Sequence, residues 1–214
     1  MQDGVGEAAW TYRMAATLRE VLMAAGAHVT TTVRSESLEW RLEEGKPEGM
    51  PALPRDAVFG SDGTPVRVAR NGGEHLYRRA DVGGAAWRGR SPGERVVFLS
   101  VHFDAVGASQ VRGAVVKWDP RGNPPAISAR LGRWLEATGL SGNRRSVDPQ
   151  QLGVLAPERN PVPERVLLEL ANLTNAQDRA ALSTAAWRWR AARVVAAALA
   201  GREPPAAGRS DARK

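Results

Sequence analysis

Two ionisable residues stand in segments whose other residues predict buried strands. His102 ends an apolar run that begins at Arg95, and Glu169 interrupts the run Val166–Leu170. A buried, unpaired carboxylate costs several kcal/mol, so it normally raises its pKa or finds a cation. A histidine at the carboxyl end of a strand in an α/β sheet can bind a metal or act as a general base.

Each residue also has a plainer explanation. Glu169 could lie on an edge strand, facing solvent or an arginine, and His102 could be a core histidine with satisfied hydrogen bonds. Two buried strands that each carry one such residue weaken both explanations together. Glu7 begins a predicted helix after Gly4–Gly6. Acidic residues stabilise helix N-termini, so Glu7 alone does not indicate a site.

The elements that must position these residues alternate between helical and strand patterns, which predicts an α/β fold. We expect a single domain over residues 1–200, with a mostly parallel or mixed central sheet flanked by helices. Residues 35–74, rich in Gly, Pro and charge, predict a surface insertion with a short hairpin near 65–68, and residues 201–214 a disordered tail. The predicted helices are 7–25, 127–139 and 177–200, and the predicted strands are 27–34, 95–102, 111–118 and 165–170. In the last helix we expect four arginines to face outward: Arg179, Arg188, Arg190 and Arg193.

Composition narrows the function classes. The 214 residues contain no cysteine, which excludes disulfides, thiolate zinc ligands and a cysteine nucleophile. No apolar stretch approaches the ~20 residues of a membrane span, and no Gly-x-Ser-x-Gly elbow is present. The net charge of +7 reflects either an arginine-rich coding bias or attraction to a polyanion, whether nucleic acid, anionic membrane or anionic cell wall.

Several motifs, in order along the chain, match one family. They are Gly4–Glu7 at the first helix, the strand end Ser100–Ala105 (Ser-Val-His-Phe-Asp-Ala), and Pro163–Asp178, which contains Glu169 and an Asn-x-x-Asp ending; Arg78–Asp81 is a weaker match. The sequence resembles the zinc-dependent N-acetylmuramoyl-L-alanine amidases of the type-3 class. The order and spacing of the motifs carry the resemblance more than any one of them.

The resemblance implies a peptidoglycan hydrolase. Glu7 and His102 would bind Zn²⁺, and Glu169 would be the catalytic residue that handles the proton. The bond cleaved would join N-acetylmuramic acid to L-alanine of the stem peptide. The resemblance further implies a periplasmic or extracellular location and a place for a regulatory protein at the 35–74 insertion. It predicts neither a nucleic-acid partner nor a membrane span.

One departure bears on activity. The family has a zinc-binding histidine in a Gly-His-Gly-Gly loop before the glutamate, and nothing here corresponds to it. His28 lies in the predicted second strand and His75 next to the insertion. We expect a chain that begins at an internal methionine and has lost its first strand and signal, rather than a degenerate relative. The alternative function is a catalytically inactive module of the same fold that binds the wall or regulates its hydrolysis.

Overall fold

A four-stranded mixed sheet organises the chain. The computed structural model describes residues 7–32, 58–59, 65–66 and 74–203. Two short strands, β1 (Val58–Phe59) and β2 (Pro65–Val66), pair antiparallel, as the predicted hairpin requires. The sheet has the strand order β3-β6-β4-β5. Its strands are β3 (Val97–Asp104), β4 (Val115–Trp118), β5 (Val147–Pro149) and β6 (Glu164–Asn172). β6 lies parallel to β3 and antiparallel to β4, so the strand that carries Glu169 is central and not an edge.

Five helices accompany the sheet in the described part of the chain. They are α1 (Glu7–Ala24), α2 (Glu74–Gly89), α3 (Ala126–Ala137), α4 (Ala176–Leu182) and α5 (Ala185–Ala200). A short 3₁₀ helix, Gly153–Leu155, precedes β6. None of the helices in these ranges is long and apolar enough to cross a membrane.

The alternation of strand side chains separates two faces of the sheet. One face contributes Phe103, Val116 and Leu168 to the main core, where α1, α3 and α5 pack. α1 supplies Trp10, Met14 and Leu18, which recur every four residues and so form one stripe of the helix. The other face carries Phe98 and Leu167 in a smaller cluster with Val154, Leu155 and Val162, beside Trp87 of α2. Ser100, His102 and Glu169 belong to this second face, because their positions alternate with the core residues.

Several predicted elements are confirmed, and three need correction. The helix predicted at 7–25 and the strands predicted at 95–102 and 165–170 are present, whereas the strand predicted at 111–118 forms only over Val115–Trp118. The strand predicted at 27–34 is wrong where it is described, since residues 27–32 pair with no other described strand. β-branched residues favour a strand only where a neighbour offers a ladder.

The long helix predicted at 177–200 is instead two helices. The chain breaks at Ser183–Thr184, where the Thr184 hydroxyl caps α5 by accepting from the Trp187 N–H. Arg188, predicted to face outward, is 2% exposed. Its guanidinium donates to the carbonyls of Leu182 and Ser183 at 3.0 and 3.1 Å, and so satisfies the last turn of α4. The helical pattern alone could not show this tertiary use of an arginine.

Part of the predicted organisation lies outside the described residues. Of the insertion at 35–74, only β1, β2 and the first residue of α2 are described, and of the tail at 201–214 only residues 201–203. α2 and β5 were not predicted from the sequence. α2 has a glycine pair and few large apolar residues, and β5 is only three residues long.

Candidate active site

Glu7 and His102, 95 residues apart in sequence, are in direct contact. Glu7 Oε1 lies 2.8 Å from His102 Nδ1, and the backbone N–H of Phe103 donates to the same oxygen at 3.4 Å. The first turn of α1 therefore approaches the carboxyl end of β3. The second ring nitrogen, Nε2, lies 3.1 Å from the Ser100 hydroxyl. Because an ionised carboxylate only accepts, Nδ1 donates to Glu7 and Nε2 accepts from Ser100 when the ring is neutral.

Glu169 stands beside this pair. It is the register partner of His102 across the parallel β3–β6 ladder and of Val115 across the antiparallel β4–β6 ladder. Neighbouring strands lie about 4.8 Å apart, and paired residues project to the same face. The Oε2 atom of Glu169 is buried and has no hydrogen-bond partner among the described residues. Neither plainer explanation, a solvent-facing edge residue or an arginine pair, describes it.

The surroundings of Glu169 favour its protonated form. Burial, followed by the negative charge of Asp104, raises the pKa of the Glu169 carboxyl from 4.5 to about 7, against smaller opposing effects of His102 and Lys117. Asp104 forms an ion pair with Arg144 at 2.7 Å, and the Lys117 ammonium donates to Gln150 at 2.6 Å. A carboxyl that titrates near neutral pH can both accept and return a proton under physiological conditions.

Buried polar side chains hold the backbone that surrounds the site. Asn172, at the end of β6, is fully buried, and its amide donates to the carbonyl of Val111 at 2.8 Å. One oxygen of Asp178 accepts from the backbone N–H groups of both Gly113 and Asn172 at 2.8 Å. These contacts tie the loop after β3 to the start of α4. In the Asn-x-x-Asp sequence that follows Glu169, the Asn175 side chain accepts from the Asp178 N–H at 3.0 Å and donates to the Ser109 carbonyl at 2.6 Å, so both ends of the motif hold backbone around the site.

Sequence comparison decides the family. A family model described as N-acetylmuramoyl-L-alanine amidase matches residues 1–201. The chain belongs to this amidase family. No curated protein matches the chain by sequence.

Solved structures show the same fold as this amidase. The apo amidase Ami1 of Mycobacterium abscessus matches with a TM-score of 0.62 and 18% identity, over 94% of this chain and 80% of that one. The CwlD amidase of Clostridioides difficile, in complex with the GerS lipoprotein, matches with a TM-score of 0.62 and 15% identity, over 94% of this chain and 87% of that one. The catalytic domain of CwlV from Bacillus (Paenibacillus) polymyxa var. colistinus matches with a TM-score of 0.58 and 18% identity, over 92% of this chain and 85% of that one. At these identities the similarity shows only a shared fold, a mixed sheet flanked by helices.

The donors at this site fit part of a catalytic zinc sphere. Glu7 and His102 offer an oxygen and a nitrogen close enough to share one ion, and zinc accepts both atom types. Catalytic zinc sites usually have three protein ligands. Within the described ranges, no third His, Cys, Asp or Glu groups with these two. Glu7 and His102 would therefore fill two positions of such a site.

Four further residues at the site had no assigned role in the sequence analysis. Ser100 and Asp104 lie two positions either side of His102, so strand alternation alone could have placed them on its face. Lys117 required the register between β4 and β6, and Arg144 required the fold of a loop 40 residues away from Asp104. No sequence pattern contains that information.

Proposed function

We propose that this amidase hydrolyses the bond between N-acetylmuramic acid and L-alanine of the stem peptide, with zinc bound by Glu7 and His102. The observation that carries the proposal is the buried Oε2 of Glu169, which has no hydrogen-bond partner among the described residues and stands beside the Glu7–His102 contact. A fold without a use for that carboxylate would be more stable with an apolar residue there. The membership of the chain in the amidase family supports an amide as the bond that is cleaved.

Glu7 and His102 would hold the zinc, which would supply Lewis-acid polarisation of the amide carbonyl and make the attacking water more acidic. Glu169 takes the proton from the attacking water when its carboxyl is ionised, the form that a bound cation favours. Once protonated, the same carboxyl returns that proton to the leaving amine, so the proton count balances over the cycle. Ser100 fixes the ring of His102 through Nε2, and burial, followed by the negative charge of Asp104, raises the pKa of Glu169 in the metal-free protein.

The wider setting of the reaction is also part of this proposal. Peptidoglycan is the substrate, and the net charge of +7 favours approach to an anionic wall. The protein would act in the periplasm or outside the cell. A regulatory protein would bind at the insertion of residues 35–74. The CwlD structure, which was solved in complex with the GerS lipoprotein, makes a protein partner a reasonable test for this chain.

The direct test incubates the full chain with purified peptidoglycan, with zinc or with EDTA. Mass spectrometry then measures release of peptides that begin with alanine. We expect release only with zinc, and none from Glu169→Gln, which should still bind the metal. His102→Ala should lose metal binding, whereas His28→Ala, which changes an exposed histidine, should keep it. Equal zinc affinity in both histidine variants would contradict the assigned metal site.

The alternative is an inactive amidase-fold module that binds the wall. The observation in its favour is that the described residues supply only two grouped zinc donors. It predicts sedimentation of the protein with peptidoglycan, no peptide release at any zinc concentration, and no effect of Glu169→Gln on wall binding. Release of alanine-terminated peptides by the wild type would exclude it.

A further inference from the structure

Arg79 is a guanidinium at the site that neither the zinc nor the proton steps use. It lies in α2, and its Nε atom is buried without a hydrogen-bond partner among the described residues. Burial lowers the pKa of Arg79, and the negative charge of Glu7 partly opposes that effect. A desolvated guanidinium with an unused donor is costly unless an acceptor reaches it.

The packing of α2 indicates that Arg79 lies over the second face of the sheet, the one that carries Ser100, His102 and Glu169. A Cβ atom on Gly83 would lie 2.6 Å from the ring of Phe98, so α2 approaches β3 closely at that turn. Phe98 shares its face with Ser100 and His102 by strand alternation. Arg79 precedes Gly83 by one helical turn and therefore lies on the same side of α2. Seven residues connect the end of α2 to the start of β3, which allows the helix to run antiparallel to β3 with its earlier turns towards the carboxyl end of that strand.

The effect of the negative charge of Glu7 on Arg79 agrees with this placement. Glu7 does not satisfy the Arg79 Nε–H, however, because that atom has no hydrogen-bond partner among the described residues. The other acid and base nearby, Asp104 and Arg144, pair with each other at 2.7 Å. Lys117 also lacks a carboxylate partner but donates to Gln150, whereas the buried Nε of Arg79 has no hydrogen-bond partner among the described residues.

The substrate chemistry identifies an acceptor. A guanidinium binds carboxylates preferentially, since its parallel N–H groups match two carboxylate oxygens. In an N-acetylmuramoyl peptide the lactyl carboxyl is consumed by the scissile amide, so every remaining carboxylate belongs to the peptide. We propose that Arg79 binds a carboxylate of the stem peptide and so holds the leaving-amine side of the substrate against Glu169. This inference takes the identity of the substrate from the proposed function.

Binding measurements without metal test the proposal separately from catalysis. The probes are N-acetylmuramoyl-L-alanyl-D-glutamic acid and its diamide, titrated by calorimetry into the full chain in EDTA. We expect the wild type to bind the acid about tenfold or more tightly than the diamide, as a charge-assisted contact predicts. Arg79→Met should abolish this preference. Arg88→Met, which removes the same charge from an exposed position of the same helix, should retain it.

Arg79→Lys provides a second variant if the methionine variant does not fold. It keeps the charge but loses the two-pronged geometry, so it should retain only part of the preference. An acid preference in Arg79→Met equal to that of the wild type, or none in the wild type, would overturn the role of Arg79. If the protein releases peptide with zinc but shows no preference for the acid, only the carboxylate-binding role of Arg79 is refuted. If the preference depends on Arg79 but no peptide is released, only the proposed enzymatic activity is refuted.

Discussion

Replacing Glu169 with glutamine should remove activity and, above neutral pH, stabilise the metal-free protein. Folding raises the pKa of the Glu169 carboxyl from 4.5 to about 7. Protonated Glu169 therefore favours the folded state, fully below pH 4.5, and that contribution is lost as the pH rises through 7. The difference between these two pKa values corresponds to about 3 kcal/mol in the free energy of unfolding, at about 1.4 kcal/mol for each pH unit. Glutamine has nearly the shape of the protonated acid and cannot ionise.

The assay is urea unfolding of wild type and Glu169→Gln in EDTA at pH 5, 6.5 and 8. Any fixed cost of the buried amide is the same at each pH and cancels in the comparison. The stability of the variant relative to wild type should increase by about 2 to 3 kcal/mol between pH 5 and pH 8. Chelator is needed because a bound cation beside Glu169 would favour the ionised carboxylate and oppose the effect.

Glu164→Gln is the matched control on the same strand. The Glu164 carboxylate accepts from the Ile127 N–H at 3.0 Å and pairs with Arg95 at 3.7 Å. Its replacement should therefore lower stability and should not reproduce the gain at high pH. A stability difference between Glu169→Gln and wild type that is equal at pH 5 and pH 8 would refute the reasoning. The carboxyl would then not be held at a raised pKa in the folded protein.

Two further substitutions test how the fold supports the site. Gly113→Ala should cost at least about 2 kcal/mol in thermal or urea unfolding, because Gly113 has a φ of 94° and its Cβ would meet the backbone of Ser141. Gly107→Ala, with open space around it, should be nearly neutral, and equal costs would contradict this account. Arg188→Ala should cost about 2 to 4 kcal/mol because two α4 carbonyls lose their donor. A cost below that of Arg193→Ala, on the same helix, would show that capping by Arg188 contributes little.

The sequence predicted much of the architecture because local patterns determine it. Strands β3 and β6 follow from apolar runs that only a buried sheet accommodates. The first helix follows from the spacing of Trp10, Met14 and Leu18. The apolar runs of β3 and β6 also showed that His102 and Glu169 were anomalies in otherwise apolar segments. The ordered motifs then led to the amidase family, and the family match over residues 1–201 confirms that assignment.

Other features depended on contacts that no local pattern encodes. Residues 27–32 have strand propensity but pair with no described strand, and α4 and α5 separate where Thr184 caps one helix and Arg188 the other. The roles of these polar side chains depend on which backbone groups the fold brings within reach. Helical periodicity cannot distinguish an arginine in solvent from one that satisfies buried carbonyls.

For the catalytic centre, the sequence determined which residues are chemically unusual, and the tertiary structure decided which of them meet. Glu7 could be read as an ordinary helix-terminal acid until α1 brought it 2.8 Å from His102. Glu169 acquired its high pKa only because β6 is the central strand and Asp104 lies nearby. Residue type is a local property, but desolvation and charge–charge interaction depend on distances between segments that the sequence does not state.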